Sequence, residues 1–326
     1  MPLEFRPTAS LAMLQQRASI MQQLRAFFVA RGFLEVETPV LSQDSVIDRH
    51  LDPLSVTLFA DPRQAAVGTT YWLQTSPEFA MKRLLAAFAG ECPADQQLAI
   101  FQVTKAFRGG ERGRLHNPEF TMVEWYRVGD DYAAGMRLLS ELAETLLNRG
   151  PAEFVTYREA FQQSLGIDPL TATDAELRTL AQADGTLDRH ALLDLLLVTQ
   201  VEPHLGKHQP TILCDYPADQ AALARVTNGD SPVAERFELY VDGMELANGY
   251  HELLDPAVLQ QRNEGNNCAR IADGKYALPT DSRLLAAMSA GLPPCSGCAL
   301  GFDRLVMAAT GANTLDEVLA FPSELA

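Results

Sequence analysis

A chain of 326 residues with 47% hydrophobic composition is long enough to bury a large core and to hold an active-site cleft. Its formal charge of −16 argues against broad, non-specific nucleic-acid binding, though an acidic protein can still carry one basic patch. No run approaches the roughly 20 uncharged apolar residues that span a bilayer, and the N-terminus lacks the regions of a signal peptide, so no membrane association and a cytoplasmic location are expected. The five cysteines, Cys92, Cys214, Cys268, Cys295 and Cys298, are odd in number and scattered, which fits reduced thiols. Cys295 and Cys298 have a C-x-x-C spacing but no second Cys pair to complete a zinc site. They read as small residues in a packed turn.

From about Ser10 to Ala30, Leu11, Leu14, Ala18, Met21, Leu24 and Phe28 recur at spacings of three and four, the pattern of a buried helical stripe. Gly32 ends that helix, and Phe33–Val36 reads as a short strand stopped by Thr38-Pro39. Tyr71–Gln74 predicts another strand, followed by a turn at Ser76-Pro77 and a helix from Glu78 to Ala89. Pro77 suits the first turn of that helix, and Glu78 meets the positive end of its dipole. Two alternating strands follow, Leu98–Phe107 and Glu119–Val128, joined by RGGERGRLHNP. Residues 132–210 read as mainly helical, with Leu192–Val198 strongly apolar. Residues 236–254 and 299–310 return to strand and strand-to-helix character. Hairpin strands with helices between them predict an α+β fold with an antiparallel sheet flanked by helices. No strand–GxGxxG–helix opens the chain, which excludes a parallel dinucleotide fold.

Three clusters carry chemistry. On the strand from Glu119, the residues Phe120, Met122, Glu124 and Tyr126 lie two apart and share one face. Polar and apolar groups on one face describe a pocket, and Arg108 at the end of the preceding strand can point into it. A two-stranded ribbon with one solvated face is the plainer alternative. An RGG-type RNA-binding segment is another, although such segments come as repeats in disordered chains. In the second cluster, Glu238 and Glu245 could chelate Mg²⁺ if a turn at Asp242-Gly243 folds their strands together. Asn248, Tyr250 and Glu252 share a strand face there, although solvated acidic strands look similar. The third cluster, Ser296 to Arg304, alternates small residues and then places Asp303-Arg304 at a helix start, where the helix terminus and the Arg both favour anions.

Taken together, the clusters resemble the catalytic domain of class II aminoacyl-tRNA synthetases, and among them the lysyl type. The first motif of that class is a helix and strand closing on a Pro, here Pro39. The second runs from Arg108 through HNPEFTMVEWY to Tyr126, and the third is Gly-x-Gly-x-Asp/Glu-Arg, here reaching Arg304. TSPEFAMKRLL from Thr75 and MELANGYHEL from Met244 are similar to lysyl-type signatures and lie between them in order. The resemblance implies one catalytic domain over residues 1–326, with the helical stretch of about 132–210 inserted between the second and third motifs. It implies ATP and Mg²⁺, and a homodimer built through the first motif.

The resemblance also implies roles. Arg108 and Arg304 act on the phosphates as the catalytic pair, and Phe120 stacks on adenine. Gly110, Glu111, His116, Asn117, Leu246 and Gly301 complete the ATP site together with Glu245. Glu238 and Glu245 hold Mg²⁺. Ser76, Glu78, Glu124, Tyr126, Asn248, Tyr250, Glu252 and Ala299 surround a cationic amino acid, whose buried charge needs convergent carboxylates. The implied reaction is attack of the substrate carboxylate on the α-phosphate, with loss of pyrophosphate.

The first motif begins close to Met1, so the β-barrel that reads the anticodon in lysyl-tRNA synthetases is expected to be absent. Paralogues without it transfer (R)-β-lysine to a lysine side chain of elongation factor P, which makes that factor the implied partner and tRNA an unexpected one. Ala299 stands where lysyl-tRNA synthetases have Gly. One methyl discriminates by about 1–3 kcal/mol and suits an amino group moved from the α to the β carbon, or it reflects neutral drift. Two departures from the pattern stand out. Gly110 occupies the position of a Glu, so either Glu111 substitutes or a contact to ATP is lost, and Tyr250 replaces a Phe. A minimal enzyme charging tRNA and a non-catalytic regulatory paralogue remain the alternatives.

Overall fold

In the computed structural model, residues 5–61, 63–64, 67–93 and 96–326 are described; residues 1–4 of the N-terminal stretch read above for a signal peptide lie outside them. The chain divides into two compact units, the first Met1–Gly129, Leu254–Cys295 and Ala299–Ala326, the second Asp130–Leu253 and Ser296–Cys298.

The first unit begins with α1 (Leu11–Val29), whose N-cap Ser10 accepts a hydrogen bond from the Met13 amide. The expected stripe is buried only toward its C-terminal end. Ile20, Leu24, Phe27 and Phe28 are core, whereas Leu11 and Ala18 are exposed. The reason is aromatic packing: Phe28 stacks on Phe101 at 4.8 Å and meets Phe33 and Trp125 at 5.2 and 5.1 Å. Nearer the N-terminus the helix offers Arg17, which pairs with Asp303.

The short strands β1 (Leu34–Glu35), β2 (Leu41–Ser42), β3 (Ser55–Phe59) and β4 (Gly68–Leu73) follow, then α2 (Glu78–Phe88), β5 (Ala99–Phe107) and β6 (Glu119–Val128). The sequence did not predict β3, which forms a three-stranded sheet with β2 and β4. β5 and β6 pair without a break from Ala99↔Arg127 to Phe107↔Glu119. Because side chains alternate, Phe101 and Trp125 face α1, while Ile100, Gln102, Phe120, Glu124 and Tyr126 take the other face. One pleat therefore separates core from candidate site.

The second unit contains α3 (Tyr132–Leu147), β7 (Glu153–Thr156), α4 (Tyr157–Leu165), α5 (Asp174–Ala181), α6 (Arg189–Leu196), β8 (Thr211–Pro217), β9 (Val233–Val241) and β10 (Met244–His251). Thr156–Glu159 and Thr173–Glu176 form capping boxes that start α4 and α5. The stretch 132–210 is mainly helical as read, but it also holds β7. Tyr157, Phe161, Leu192, Leu196, Leu213 and Tyr240 belong to the core of this unit. Its strand order is β10-β9-β8-β7, with β7 and β8 parallel and the other pairs antiparallel.

The chain then returns to the first unit as α7 (Pro256–Ala272) and α8 (Arg283–Gly291). β11 (Cys295–Gly301) follows, its Ser296–Cys298 belonging to the second unit, and then α9 (Phe302–Thr310). The first unit has strand order β1-β5-β6-β11, β1 running parallel to β5. The fold is α+β, with a large, predominantly antiparallel sheet flanked by helices. None of the five cysteines is in a disulfide, and Cys295 and Cys298 lie buried on a strand rather than in a turn, because the small residues from Cys295 to Gly301 fit an extended, tightly packed backbone. Among the described residues no helix is long and apolar enough to cross a membrane.

Candidate functional site

The predicted site residues fall into two groups, one in each unit. In the first, β5 delivers Arg108 just past its last residue, where its amide donates to the Pro118 carbonyl. The Arg108 guanidinium lies 5.0 Å from the Phe120 ring centroid, and its Nε is buried without a partner among the described residues. A buried cationic donor left unsatisfied is costly, and an anion such as a phosphate would satisfy it. Half-buried Phe120 offers a ring beside that charge.

The loop after Arg108 turns at Gly110, with φ of +78°, a conformation that a Glu there would adopt only under strain. The next residue, Glu111, carries its carboxylate 4.0 Å from Arg108. His116 and Arg304 meet directly: Nη2 of Arg304 donates to Nε2 of His116 at 2.7 Å, and its Nε donates to the Leu115 carbonyl at 3.1 Å. Since Arg is only a donor, that His nitrogen accepts and the imidazole is neutral. Accordingly, burial and then the Arg304 charge hold His116 below the usual imidazole range. Asn117 donates to the Glu119 carbonyl at 2.6 Å and accepts from the Ser323 amide at 3.1 Å, so its amide braces the loop.

Arg304 sits in the first turn of α9, whose N-cap is half-buried Gly301. Its neighbour Asp303 is buried, ion-paired to Arg17 at 2.5 Å and bonded to the Thr121 amide at 2.8 Å. Ala299 is half-buried on β11. Ser76 and Pro77 precede α2, and Glu78, its first residue, is buried. Lys82, one turn on, donates to Glu78 Oε1 at 2.5 Å, and the Tyr126 hydroxyl donates to Glu124 Oε1 at 2.6 Å. Thr75 has a buried hydroxyl with no partner among the described residues.

In the second unit, Asp242 and Gly243 have φ of 54° and 79°, the signature of a type I′ two-residue turn, so the expected hairpin forms. Glu245 opposes Tyr240, and Asn248 opposes Glu238, with a bulge between Glu245 and Ala247. Glu238, Tyr240, Glu245 and Asn248 thus share a face. Glu238 is buried and accepts from Tyr216 at 2.5 Å, Tyr240 at 2.6 Å and Arg236 at 2.5 Å. A carboxylate offers about four acceptor directions, so one remains, on the oxygen that faces Arg236. Hard oxygen donors of this kind suit Mg²⁺, and half-buried Glu245 adds a second carboxylate. Burial first, and then the Glu238 charge, push the Tyr216 and Tyr240 phenols well above their usual value.

Asn248 Oδ1 is buried without a partner among the described residues, an acceptor suited to an ammonium donor. Gly249 is required by packing, because a Cβ there would lie 2.4 Å from the Phe237 ring. Leu246 and Glu252 are buried and Tyr250 is half-buried. Lys82, Arg17, Arg236, Tyr216 and Tyr240 were not singled out from sequence. Three had a usable signal: Lys82 is four residues after Glu78, and Arg236 and Tyr240 flank Glu238 at period two.

Comparison with known proteins gives the family. Residues 2–325 match the model of the class II tRNA synthetases of the D, K and N type, and the chain belongs to that family. Proteins of the family are ligases that use ATP, generally with Mg²⁺, and this chain is a ligase of that class. Its similar relatives include the elongation factor P--(R)-beta-lysine ligases of Salmonella dublin, Salmonella paratyphi B and Salmonella heidelberg. Each is 48% identical, over 97% of this chain and 97% of its own length.

Proposed function

We propose that the chain activates (R)-β-lysine with ATP and transfers it to a lysine side chain of elongation factor P. The observation that carries this reading is the 48% identity, over nearly the whole of both chains, to relatives bearing that name. The geometry supports it with two buried, unpartnered atoms of opposite need: Arg108 Nε requires an acceptor and Asn248 Oδ1 requires a donor. ATP supplies the first and the substrate ammonium the second.

In this reading the substrate carboxylate attacks the α-phosphorus, the bond to the pyrophosphate oxygen breaks, and a β-lysyl-adenylate forms. The acceptor amine then attacks the acyl carbon, AMP leaves, the amine loses a proton and an amide remains. Arg108 holds the α-phosphate and Phe120 carries the adenine. Arg304 exchanges its His116 and Leu115 contacts for phosphate oxygens, which stabilise as charge builds there. The reading assigns Gly110, Glu111, Asn117, Leu246 and Gly301 to the nucleotide. Glu245, with the remaining direction on Glu238, would hold Mg²⁺, which when bound offsets phosphate charge. The reading assigns Ser76, Glu78, Glu124, Tyr126, Asn248, Tyr250, Glu252 and Ala299 to the amino acid.

The same reading makes residues 1–326 one catalytic domain, with about 132–210 as its insertion, in a cytoplasmic homodimer. Exposed Leu11 and Val29 on α1 support the dimer. The test is to incubate the protein with ATP, Mg²⁺ and either (R)-β-lysine or α-lysine, offering unmodified elongation factor P or lysine tRNA. The factor is expected to gain the mass of one β-lysyl group. A charged tRNA beside a factor of unchanged mass overturns the reading.

A further inference from the structure

Lys82 is a buried cation to which the proposed chemistry gives no task. It is 1% exposed, in a helix whose other buried residues are Glu78, Phe79, Met81 and Leu85. Exposed Glu–Lys pairs four residues apart are common and weak. A buried pair must offset the desolvation of two ions, and apolar residues of similar volume often pack as well or better. Helix stability therefore does not explain why Lys82 points inward.

Its surroundings do. Nζ lies 2.5 Å from Glu78 Oε1 and 5.9 Å from the centroid of the Tyr126 ring, within reach of a cation–π contact. The hydroxyl of the same Tyr126 donates to Glu124 Oε1 at 2.6 Å. Glu78, Lys82, Tyr126 and Glu124 thus form a run of contacts inside the first unit, and its two carboxylates are among those that the proposed function assigns to the substrate. Oε1 of Glu78 is taken by Lys82, while no hydrogen bond to Oε2 exists among the described residues. Two carboxylates with one ammonium leave a single net negative charge, which matches one substrate ammonium.

We propose that Lys82 is a positioning residue for substrate recognition: its ammonium fixes the Glu78 carboxylate so that Oε2 is presented to one ammonium of a diamino acid. The inference rests on the functional reading above and deepens it. Lys82 acts through Glu78, so its loss weakens capture of the amino acid and spares ATP.

The test is amino-acid-dependent ATP–pyrophosphate exchange by the full chain, wild type and Lys82→Met, with thermal unfolding recorded for both. Lys82→Met is expected to raise KM for (R)-β-lysine by about tenfold or more, with KM for ATP within about twofold of wild type. Glu78→Gln and the double variant Glu78→Gln/Lys82→Met are expected to share one amino-acid KM, because residues acting as a unit are not additive. Lys82→Arg, which keeps the charge, is expected to recover part of the loss. If Lys82→Met does not fold, Lys82→Arg against Lys82→Gln makes the same comparison. An unchanged amino-acid KM, an additive double variant, or equal losses for ATP and amino acid overturn the role of Lys82. A folded wild-type chain that exchanges with neither (R)-β-lysine nor α-lysine removes the functional reading, and this inference with it.

Discussion

The β5–β6 hairpin closes through residues 108–118, whereas β9–β10 closes through Asp242 and Gly243 alone. Both place polar side chains at period two on one face, yet their charged groups stand differently. In the first, Arg108 Nε has no partner among the described residues, and Arg304 leans on loop atoms that a phosphate could replace. In the second, Glu238 is already gripped by Tyr216, Tyr240 and Arg236. On the proposed function, the long, Gly-rich loop lends cations contacts that a charged ligand can replace. A two-residue turn lets a sheet fix a carboxylate beforehand, with no reorganisation left for the moment of reaction.

Three measurements press on that contrast. Arg304→Ala should lower ATP–pyrophosphate exchange by about 10³-fold while leaving the fold intact; near-normal exchange would mean that this cation is not the one that acts. Glu238→Gln should destabilise the protein in urea by on the order of 3 kcal/mol, because it strips the charge from a buried, three-donor carboxylate beside Arg236. Glu245→Gln should shift only the Mg²⁺ dependence, and equal destabilisation by the two variants would erase the distinction between them.

The smallest effect concerns pH. The His116 imidazole sits below its ordinary value because of burial and then Arg304, so the folded state binds its proton less readily than the unfolded chain, where the value is about 6.5. Its contribution to stability is therefore complete above that value and is lost as pH falls through the lower folded one. Thermal unfolding between pH 5 and 7.5 should show an acid-side decline that is shallower in His116→Gln. Identical slopes would detach the loop from this titration.

What the sequence made legible follows from how each element earns its stability. β5 and β6 came out within a residue because they alternate cleanly, and the Asp242-Gly243 turn because only a few residue types adopt its backbone. α7 escaped for the opposite reason. Its buried positions are Leu259, Asn263, Asn267 and Arg270, so the inward face is mostly polar. Asn267 bonds both backbone groups of Leu278, and Arg270 reaches the carbonyls of Asp48, Leu51 and Tyr276. A search for apolar period cannot see such a helix. β7 has only four residues before a helix begins, too few for alternation to register. In the site, motifs pointed to Glu78, Arg108 and Glu238, while the partners that orient them, Lys82 and Arg236, became visible only as distances.

Asp303 and Arg304 are neighbours with different duties. Asp303 is buried, tying α1 through Arg17 and β6 through the Thr121 amide, while Arg304 holds its guanidinium against a loop. Asp303 therefore answers to the architecture and, on the proposed function, Arg304 to the reaction. A gene copy drifting away from catalysis would, on that reading, lose only loop contacts by shedding the arginine, but it would lose ties to both α1 and β6 by shedding the aspartate. The pair is a diagnostic: the aspartate reports that the scaffold is still standing, and only the residue after it reports that the scaffold is still in use.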